Sequence, residues 1–195
     1  VLEFYLNYAK DIASIDSRID VLAGYSYQDF LDKLYNYADY NAAGVLIPGT
    51  VPNFETDEPQ YTLLSYYGRL NYSLKGKYLL TATVRRDGSS KFAEENRWAL
   101  FPSIALGWNM RDESYFRNIE ALNTLKLRAS YGITGQQEGI NYYDYISYFN
   151  LSSPTARYQL GETFYQMYRP GGYYANRKWE ETSTFNVGLD YGLFN

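Results

Sequence analysis

Long stretches of this chain alternate between apolar and polar residues, and this period of two constrains the fold more than any other feature. The alternation is clearest in four segments: 77–87, 102–110, 125–134 and 184–193. Successive side chains of a β-strand point to opposite faces of its sheet, so each segment is predicted to be a strand with one apolar and one polar face. Three more segments fit the same pattern: 1–9, 18–29 and 62–74.

These seven predicted strands are long. Each is close to the ~9–11 residues with which a tilted strand crosses a bilayer, whereas strands of globular proteins most often have ~5–6 residues. Consecutive strands are the commonest neighbours in a sheet, which favours an antiparallel meander. No apolar run approaches the ~20 residues of a membrane-spanning helix. The pattern therefore predicts an all-β fold that is part of a large transmembrane barrel.

The links between the predicted strands alternate between short and long. The short links are 10–17, the Lys75-Gly76 turn and 111–123, and the long links are 30–61, 88–97 and 135–182. Gly76 suits a tight hairpin because glycine adopts a positive φ without steric cost. Outer-membrane barrels have short turns at one end and long extracellular loops at the other, so the alternation favours a protein of that kind.

Two links are predicted to contain short helical stretches. In 111–123, Asp112 is placed to cap a helix whose apolar face would carry Tyr115, Phe116, Ile119 and Leu122. In the first long link, helical spacing is found at Phe30, Leu31, Leu34, Tyr37 and Ala38. Helical structure is thus expected only in the connections.

Aromatic residues are abundant, with 24 Tyr, 10 Phe and 3 Trp among 195 residues. Several lie near predicted strand ends, where the aromatic girdles of a membrane barrel are found: Tyr25, Tyr27, Tyr78, Trp108 and Tyr131. The polar faces mix many small residues with Arg and Asp, as a crowded or wet lumen does. A soluble β-sandwich also alternates, with its apolar face turned to a second sheet, and is the alternative fold.

The composition excludes several kinds of chemistry. The absence of Cys removes disulfides, thiolate metal sites and thiol nucleophiles. The absence of His removes the commonest metal ligand and general base. A net charge of −4 argues against binding nucleic acid, which needs a basic face. No catalytic motif or suitably placed carboxylate pair is found, so no enzyme activity, cofactor or metal site is predicted.

The odd number of strands indicates a piece of a larger barrel. Bacterial single-chain barrels have an even number of strands, which places both termini at the same end. Here the first and the last segments are already strands. Residues 1–195 are therefore predicted to form one partial β-barrel domain, with two unpaired edges and an exposed apolar face.

A series of sequence blocks carries a resemblance to a known family. One block is Arg85-Arg86-Asp87-Gly88-Ser89-Ser90-Lys91-Phe92. Others, in order, are 67–81, 96–98, 101–103, 107–108, 125–132, 134–137, 179–182 and 186–192. With these blocks the chain resembles the SusC/RagA family of TonB-dependent outer-membrane transporters of Bacteroidetes. Residues 1–60 match that family only in general character.

The resemblance implies a barrel of about 22 strands closed by an N-terminal plug. This chain would supply the C-terminal part of the barrel region, and the plug would be absent from it. The resemblance also implies energy-coupled uptake of glycans or peptides across the outer membrane. The partners would be a SusD-like surface lipoprotein, the TonB system and the surrounding outer-membrane lipid, with no nucleic acid.

Two sets of residues are candidate sites. Charged residues on the polar face would line the lumen, or would pair with one another inside a crowded barrel: Arg69, Arg85, Asp87, Arg128 and Asp190. Aromatic residues of the long loops would offer flat faces to sugar rings, or would pack within the loops: Tyr142, Tyr143, Tyr173, Tyr174 and Trp179.

Two functions from different classes follow from these observations. In the first, the chain forms barrel wall and extracellular loops of an outer-membrane nutrient importer. In the second, it is a soluble extracellular carbohydrate-binding or adhesive β-domain whose apolar faces pack into an ordinary core. A monodisperse monomer that is soluble without detergent would favour the second function, and dependence on detergent or association through strand edges would favour the first.

Overall fold

Strands make up most of the chain. The computed structural model describes residues 1–153 and 155–194. Within them, the strands in chain order are β1 Leu2–Ile12, β2 Ser17–Leu31, β3 Leu34–Tyr35, β4 Thr56–Asp57, β5 Gln60–Leu74, β6 Tyr78–Ser89, β7 Trp98–Asn109, β8 Leu122–Gln136, β9 Phe149–Leu151, β10 Arg157–Leu160, β11 Thr163–Gln166, β12 Tyr168–Pro170 and β13 Glu180–Leu193.

Seven of these strands form one antiparallel sheet, in the order β1-β2-β5-β6-β7-β8-β13. Each strand pairs with the next long strand along the chain, which confirms the predicted seven-strand meander. These strands are 11 to 15 residues long. That length suits a tilted crossing of a bilayer better than the interior of a small globular domain.

Short connections join the strands at one end of the sheet. Residues 75–77 link β5 to β6, and both Lys75 and Gly76 have a positive φ, of 54° and 64°. The 3-10 turn Ala13–Ile15, which ends at Asp16 with φ 49°, links β1 to β2. The third connection at this end begins with the 3-10 turn Met110–Asp112. The predicted tight turn at Lys75-Gly76 is therefore confirmed.

The two longest connections, 32–59 and 137–179, occupy the opposite end of the sheet, as predicted, but the third one there, 90–97, is shorter than the 110–121 connection, which the sequence pattern groups with the short links. The segment 32–59 contains the two-stranded β3–β4 pair, and 90–97 contains the 3-10 turn Glu94–Asn96. The segment 137–179 contains two small antiparallel pairs, β9 with β12 and β10 with β11. We call this the loop end and the opposite one the turn end.

The register separates polar from apolar side chains. Across β5 and β6, Ser65 lies opposite Asp87 on one face, and Leu70 lies opposite Ala82 on the other. The apolar face is largely exposed, with Leu106 at 55% and Phe185 at 69% of full exposure. In the part of the chain that the structure describes, no second sheet covers this face, so the core that a β-sandwich requires is not formed.

The helical predictions for the connections need correction in detail. The segment 111–123 contains no α-helix, and Asp112 closes the 3-10 turn instead of capping a helix. In the first long link, Phe30 and Leu31 complete β2, and Leu34 pairs with Asp57. Pairing with a neighbouring strand overrides a weak local spacing. None of the helical turns in residues 1–153 and 155–194 is long and apolar enough to cross a membrane.

Candidate functional site

Four of the five charged residues predicted for the lumen form two ion pairs on the polar face. Arg85 Nε lies 2.7 Å from Asp87 Oδ1, two residues along the same strand. Arg128 Nε lies 2.8 Å from Asp190 Oδ2, across the β8–β13 pair. The residues thus share one face of the sheet, as the alternation predicts, and they neutralise one another there.

The fifth residue, Arg69, lies opposite Thr83 in the β5–β6 ladder, which places it on the same polar face. Further along this face, a cavity of about 540 Å³ lies over small residues of β7, β8 and β13, including Gly107, Ser130 and Gly188. A Cβ atom on Gly188 would lie 3.1 Å from Arg128 Nη2. The small side chains therefore leave room for the charged ones to lie along the sheet.

A second cavity, of about 380 Å³, lies at the loop end of the polar face. Its lining combines two aromatic residues, amide groups and charges of both signs: Tyr61, Leu63, Ser65, Arg85, Asp87, Lys91, Gly135, Gln136, Gln137, Glu138 and Trp179. Lys91 Nζ lies 4.3 Å from the centre of the Tyr61 ring and 5.0 Å from that of Tyr142. Cation–π attraction thus holds this lysine at the cavity wall.

Tyr142 and Tyr143, two of the predicted ligand-binding residues, connect the last loop to the first. The Tyr142 hydroxyl donates a hydrogen bond to the Asp32 carboxylate, and this bond raises the pKa of Tyr142 to about 12. The backbone N–H of Gln60 donates to the Tyr143 hydroxyl at 3.2 Å. Their hydroxyl groups therefore have structural partners at the base of the loops.

Tyr173 and Tyr174 are about half exposed, at 53% and 54%. The Arg177 guanidinium lies 4.2 Å from the centre of the Tyr174 ring, and Arg177 also forms an ion pair with Asp144. Ring surface thus remains accessible in this part of the loop. The structure does not bring these two tyrosines together with Tyr142 and Tyr143 into one cluster of ring contacts among the described residues.

Trp179, the fifth aromatic candidate, is only 8% exposed. Its ring centre lies 5.3 Å from that of Phe92 and 5.5 Å from that of Phe101, and its indole N–H donates to the Arg97 carbonyl at 3.0 Å. Phe92 is fully buried. Most of the indole surface is therefore already covered by protein.

These three aromatic residues, Phe92, Phe101 and Trp179, form an aromatic wedge between β7 and β8. The two strands pair only from Ser103 to Asn109, so their ladder stops short of the loop end. The Phe101 ring occupies the place of a side chain at position 135: a Cβ on Gly135 would lie 2.0 Å from Phe101 Cζ. The wedge thus fills the boundary between β7 and β8, which we call the seam, beyond the point where backbone pairing ends.

The turn end is organised by Glu113. The Tyr78 hydroxyl, Lys77 Nζ and the Trp108 indole N–H donate to its carboxylate at 2.7, 3.0 and 3.2 Å. These hydrogen bonds, led by that from Tyr78, lower the pKa of Glu113 to about 2. The carboxylate fastens the 110–121 connection to β6 and β7.

Sequence reasoning missed Lys91, Phe92 and Glu113. Lys91 and Phe92 belong to the family-like block 85–92, and this block indicated that the segment after β6 has a role beyond reversing the chain. Glu113 lies in a link whose apolar spacing suggested a helix. Two of its three donors, Lys77 and Tyr78, are 36 and 35 residues away, and nothing in the local pattern brings them to Glu113.

Residues 3–195 match the profile of the family described as TonB dependent receptor-like, beta-barrel. The chain is 47% identical over 134 residues to TonB-dependent receptor SusC of Bacteroides thetaiotaomicron, covering 69% of this chain and 13% of that protein. It is 35% identical over 207 aligned residues to TonB-dependent receptor P39 of Formosa agariphila, covering 98% of this chain and 18% of that protein.

The fold is similar to a solved structure described as the RagAB peptide transporter, with a TM-score of 0.75. Sequence identity is 23%, and the match covers 99% of this chain and 21% of that one. The chain thus spans about a fifth or less of the length of these relatives. It belongs to the SusC/RagA-like TonB-dependent receptors and forms part of their outer-membrane β-barrel.

Proposed function

We propose that this chain forms a stretch of the wall and the outer loops of an energy-coupled importer that carries glycans or peptides across the outer membrane. The observation that supports this most is the two-sided sheet. One face presents uncovered apolar side chains, and the other presents ion pairs, small residues and cavities. Lipid would solvate the first face, and the aqueous lumen the second.

In this proposal the loop end faces outward and the turn end faces the periplasm. Barrels of the outer membrane place their short turns on the periplasmic side. Stacked aromatic pairs at both ends of the apolar face support a transmembrane placement of this face between two interfaces. Tyr78 and Trp108 have ring centres 6.2 Å apart at the turn end, and Tyr66 and Trp98 have ring centres 6.1 Å apart at the loop end.

The charged residues Arg69, Arg85, Asp87, Arg128 and Asp190 would line the lumen. Paired charges offer alternating donors and acceptors to a hydrated cargo without fixing a net charge on the wall. The cavity at the loop end adds amides from Gln136 and Gln137. Such a surface suits neutral, hydroxyl-rich or amide-rich molecules.

The loop aromatics Tyr142, Tyr143, Tyr173, Tyr174 and Trp179 would contribute to the outer vestibule. Tyr173 and Tyr174 have the accessible ring surface that stacking on a sugar ring or a peptide side chain requires. Tyr142, Tyr143 and Trp179 would act mainly by holding the loops in place, because their polar groups or ring faces already have partners.

The complete receptor would work with two partners. A SusD-like lipoprotein would cover the loop end, and the TonB system would supply energy from the inner membrane. Both assignments rest on the membership of the SusC/RagA-like TonB-dependent receptors. The chain itself contributes barrel wall, and catalysis has no place in this function.

Uptake by cells tests the proposal. A strain that lacks the complete receptor is compared with one in which it is restored, using fluorescent pools of oligosaccharides and of oligopeptides. We expect the deletion to abolish accumulation of one pool, and an uncoupler of the proton gradient to do the same. Unchanged accumulation of both pools, or uptake that persists with the uncoupler, would contradict the proposal.

The contribution of the loops is tested by replacing Tyr173 and Tyr174 with Ala in the restored receptor. Tyr115→Ala is the matched control, since Tyr115 is also exposed, at 61%, but lies at the turn end. We expect weaker binding of cargo to the double variant and unchanged binding to the control. Equal effects of the two would remove the loop tyrosines from the site.

A further inference from the structure

Arg86 is a charged residue on the apolar face of the sheet. Its neighbour Arg85 points to the polar face, and Arg86 itself lies between Tyr66 of β5 and Leu100 of β7. In the described strands β5, β6 and β7, no other charged residue lies on this face between the Tyr78–Trp108 pair and the Gly88–Trp98 pair. Such an arginine needs a specific explanation, because a charge on a lipid-exposed face is costly.

An aromatic platform supports the guanidinium group. Arg86 Cζ lies 4.9 Å from the centre of the Trp98 ring, and the Trp98 ring is stacked near that of Tyr66. Tyr66 in turn lies beside Tyr25, with ring centres 5.3 Å apart. Trp98 lies directly over Gly88, where an added Cβ would come within 2.9 Å of the indole. The platform therefore spans β2, β5 and β7 and fixes where the guanidinium sits.

The height of Arg86 matches the outer boundary of the membrane. From Tyr78 to Arg86 the strand rises by roughly 26 Å. At the usual barrel tilt this is about 20 Å of height, within an apolar band about 25 Å tall. The Trp98 ring that the guanidinium contacts lies two residues further toward the loop end, because Trp98 pairs with Gly88 and not with Arg86. The charge thus reaches the level of lipid headgroups at the loop end.

The two adjacent arginines differ in their partners. Arg85 is neutralised by Asp87 and bonded to Ser65. Among the residues that the structure describes, Arg86 has neither a salt bridge nor a side-chain hydrogen bond, and only the Trp98 ring engages it. A cation–π contact uses none of the five N–H groups of a guanidinium, so they remain free to donate, and their fork matches phosphate oxygens.

We propose that Arg86, placed over the Trp98 ring beside Tyr66, binds the phosphate group of an acidic lipid in the outer leaflet. The acyl chains of this lipid would lie along the apolar face below, over Val84, Pro102 and Ile104. This inference rests on the proposed orientation, with the loop end outward. It explains why an arginine lies among aromatic and aliphatic side chains at this height.

The test uses the complete receptor, purified in detergent and freed of native lipid. It is titrated with an acylated disaccharide lipid that carries phosphate and with the same lipid after removal of the phosphate, and bound lipid is counted by native mass spectrometry. We expect Arg86→Gln to weaken binding of the phosphorylated lipid by about tenfold. Arg85→Gln, the matched control on the opposite face, should bind as the unaltered receptor does.

Several outcomes would overturn the site. One is equal binding of the two lipids by the unaltered receptor, and another is equal binding of the phosphorylated lipid by Arg86→Gln and Arg85→Gln. Equally strong binding of inorganic phosphate alone, without acyl chains, would show a free-anion site instead of a lipid site. If Arg86→Gln does not assemble, the site is tested by comparing the two lipids on the unaltered receptor and by a second variant, Trp98→Leu.

The lipid titration and the uptake assay together separate this inference from the proposed function. A receptor that prefers the phosphorylated lipid but carries no cargo would refute the importer and leave the lipid site intact. A receptor that carries cargo and ignores the phosphate would refute only the site. A receptor that needs no detergent and binds neither lipid would refute both.

Discussion

The seam between β7 and β8 gives a sharp test of how this wall is built. A methyl group added at Gly135 would collide with the Phe101 ring, since the Cβ would lie 2.0 Å from Cζ and 2.3 Å from Cε1. The ring cannot retreat freely, because Trp179 and Phe92 pack beside it. Gly135→Ala should therefore lower the free energy of unfolding by about 1–3 kcal/mol, the usual cost of overpacking.

The assay is urea unfolding of the complete receptor in detergent micelles, followed by tryptophan fluorescence and by the shift of the folded band on unheated gels. Gly68→Ala is the matched control. Gly68 also lies within a sheet strand, but the nearest atoms to an added Cβ are 3.7 Å away. This substitution should be close to neutral or slightly stabilising.

A double-mutant cycle identifies the cause. In a Phe101→Ala background the collision no longer exists, so Gly135→Ala should cost almost nothing there. The coupling between the two positions should equal most of the ~1–3 kcal/mol penalty. An equal penalty in both backgrounds would refute the steric argument and point to the backbone at position 135.

Three further predictions concern other parts of the sheet. Leu80→Arg on the apolar face should destabilise the complete receptor by about 2–4 kcal/mol, whereas Thr81→Arg on the polar face should be much milder; equal unfolding midpoints would refute the assignment of the faces. The folded-state pKa of Glu113 lies near 2, below its unfolded value of ~4.3, so its stabilising effect is present above that unfolded value and is lost as pH falls toward 2. Glu113→Gln should remove this part of the acid dependence of unfolding, and an unchanged acid profile would rule out the Glu113 contacts as its source. Trp179→Ala should expose the segment 137–179 to limited proteolysis, because it removes an indole that contacts both Phe92 and Phe101; an unaltered cleavage pattern would show that the loop is held elsewhere.

The sheet could be predicted from sequence because its information is local. Alternation fixes which residues share a face, and a turn such as Lys75-Gly76 fixes where consecutive strands reverse. Once two neighbouring strands are joined by a tight turn, their register follows. The faces of Arg85, Asp87, Arg128 and Asp190 followed from the same rule.

The connections could not be predicted in the same way. Leu34 and Asp112 stand in segments whose short-range spacing suits a helix, yet distant pairing or a single tight turn decides their structure. The burial of Trp179 depends on Phe92, far away in the chain, and the role of Glu113 depends on donors from two strands. Such contacts leave no periodic trace in the sequence.

The incomplete ladder between β7 and β8 has a mechanical consequence. Above Ser103 and Gly132, each of these strands keeps a backbone partner on only one side, and aromatic rings fill the space between them. In the inner part of the seam a ladder of backbone hydrogen bonds joins the two strands, whereas in the outer part only packed aromatic side chains lie between them. The two parts of the seam therefore separate at different costs: opening the inner part breaks backbone hydrogen bonds, and opening the outer part exposes the buried aromatic surface of Phe92, Phe101 and Trp179.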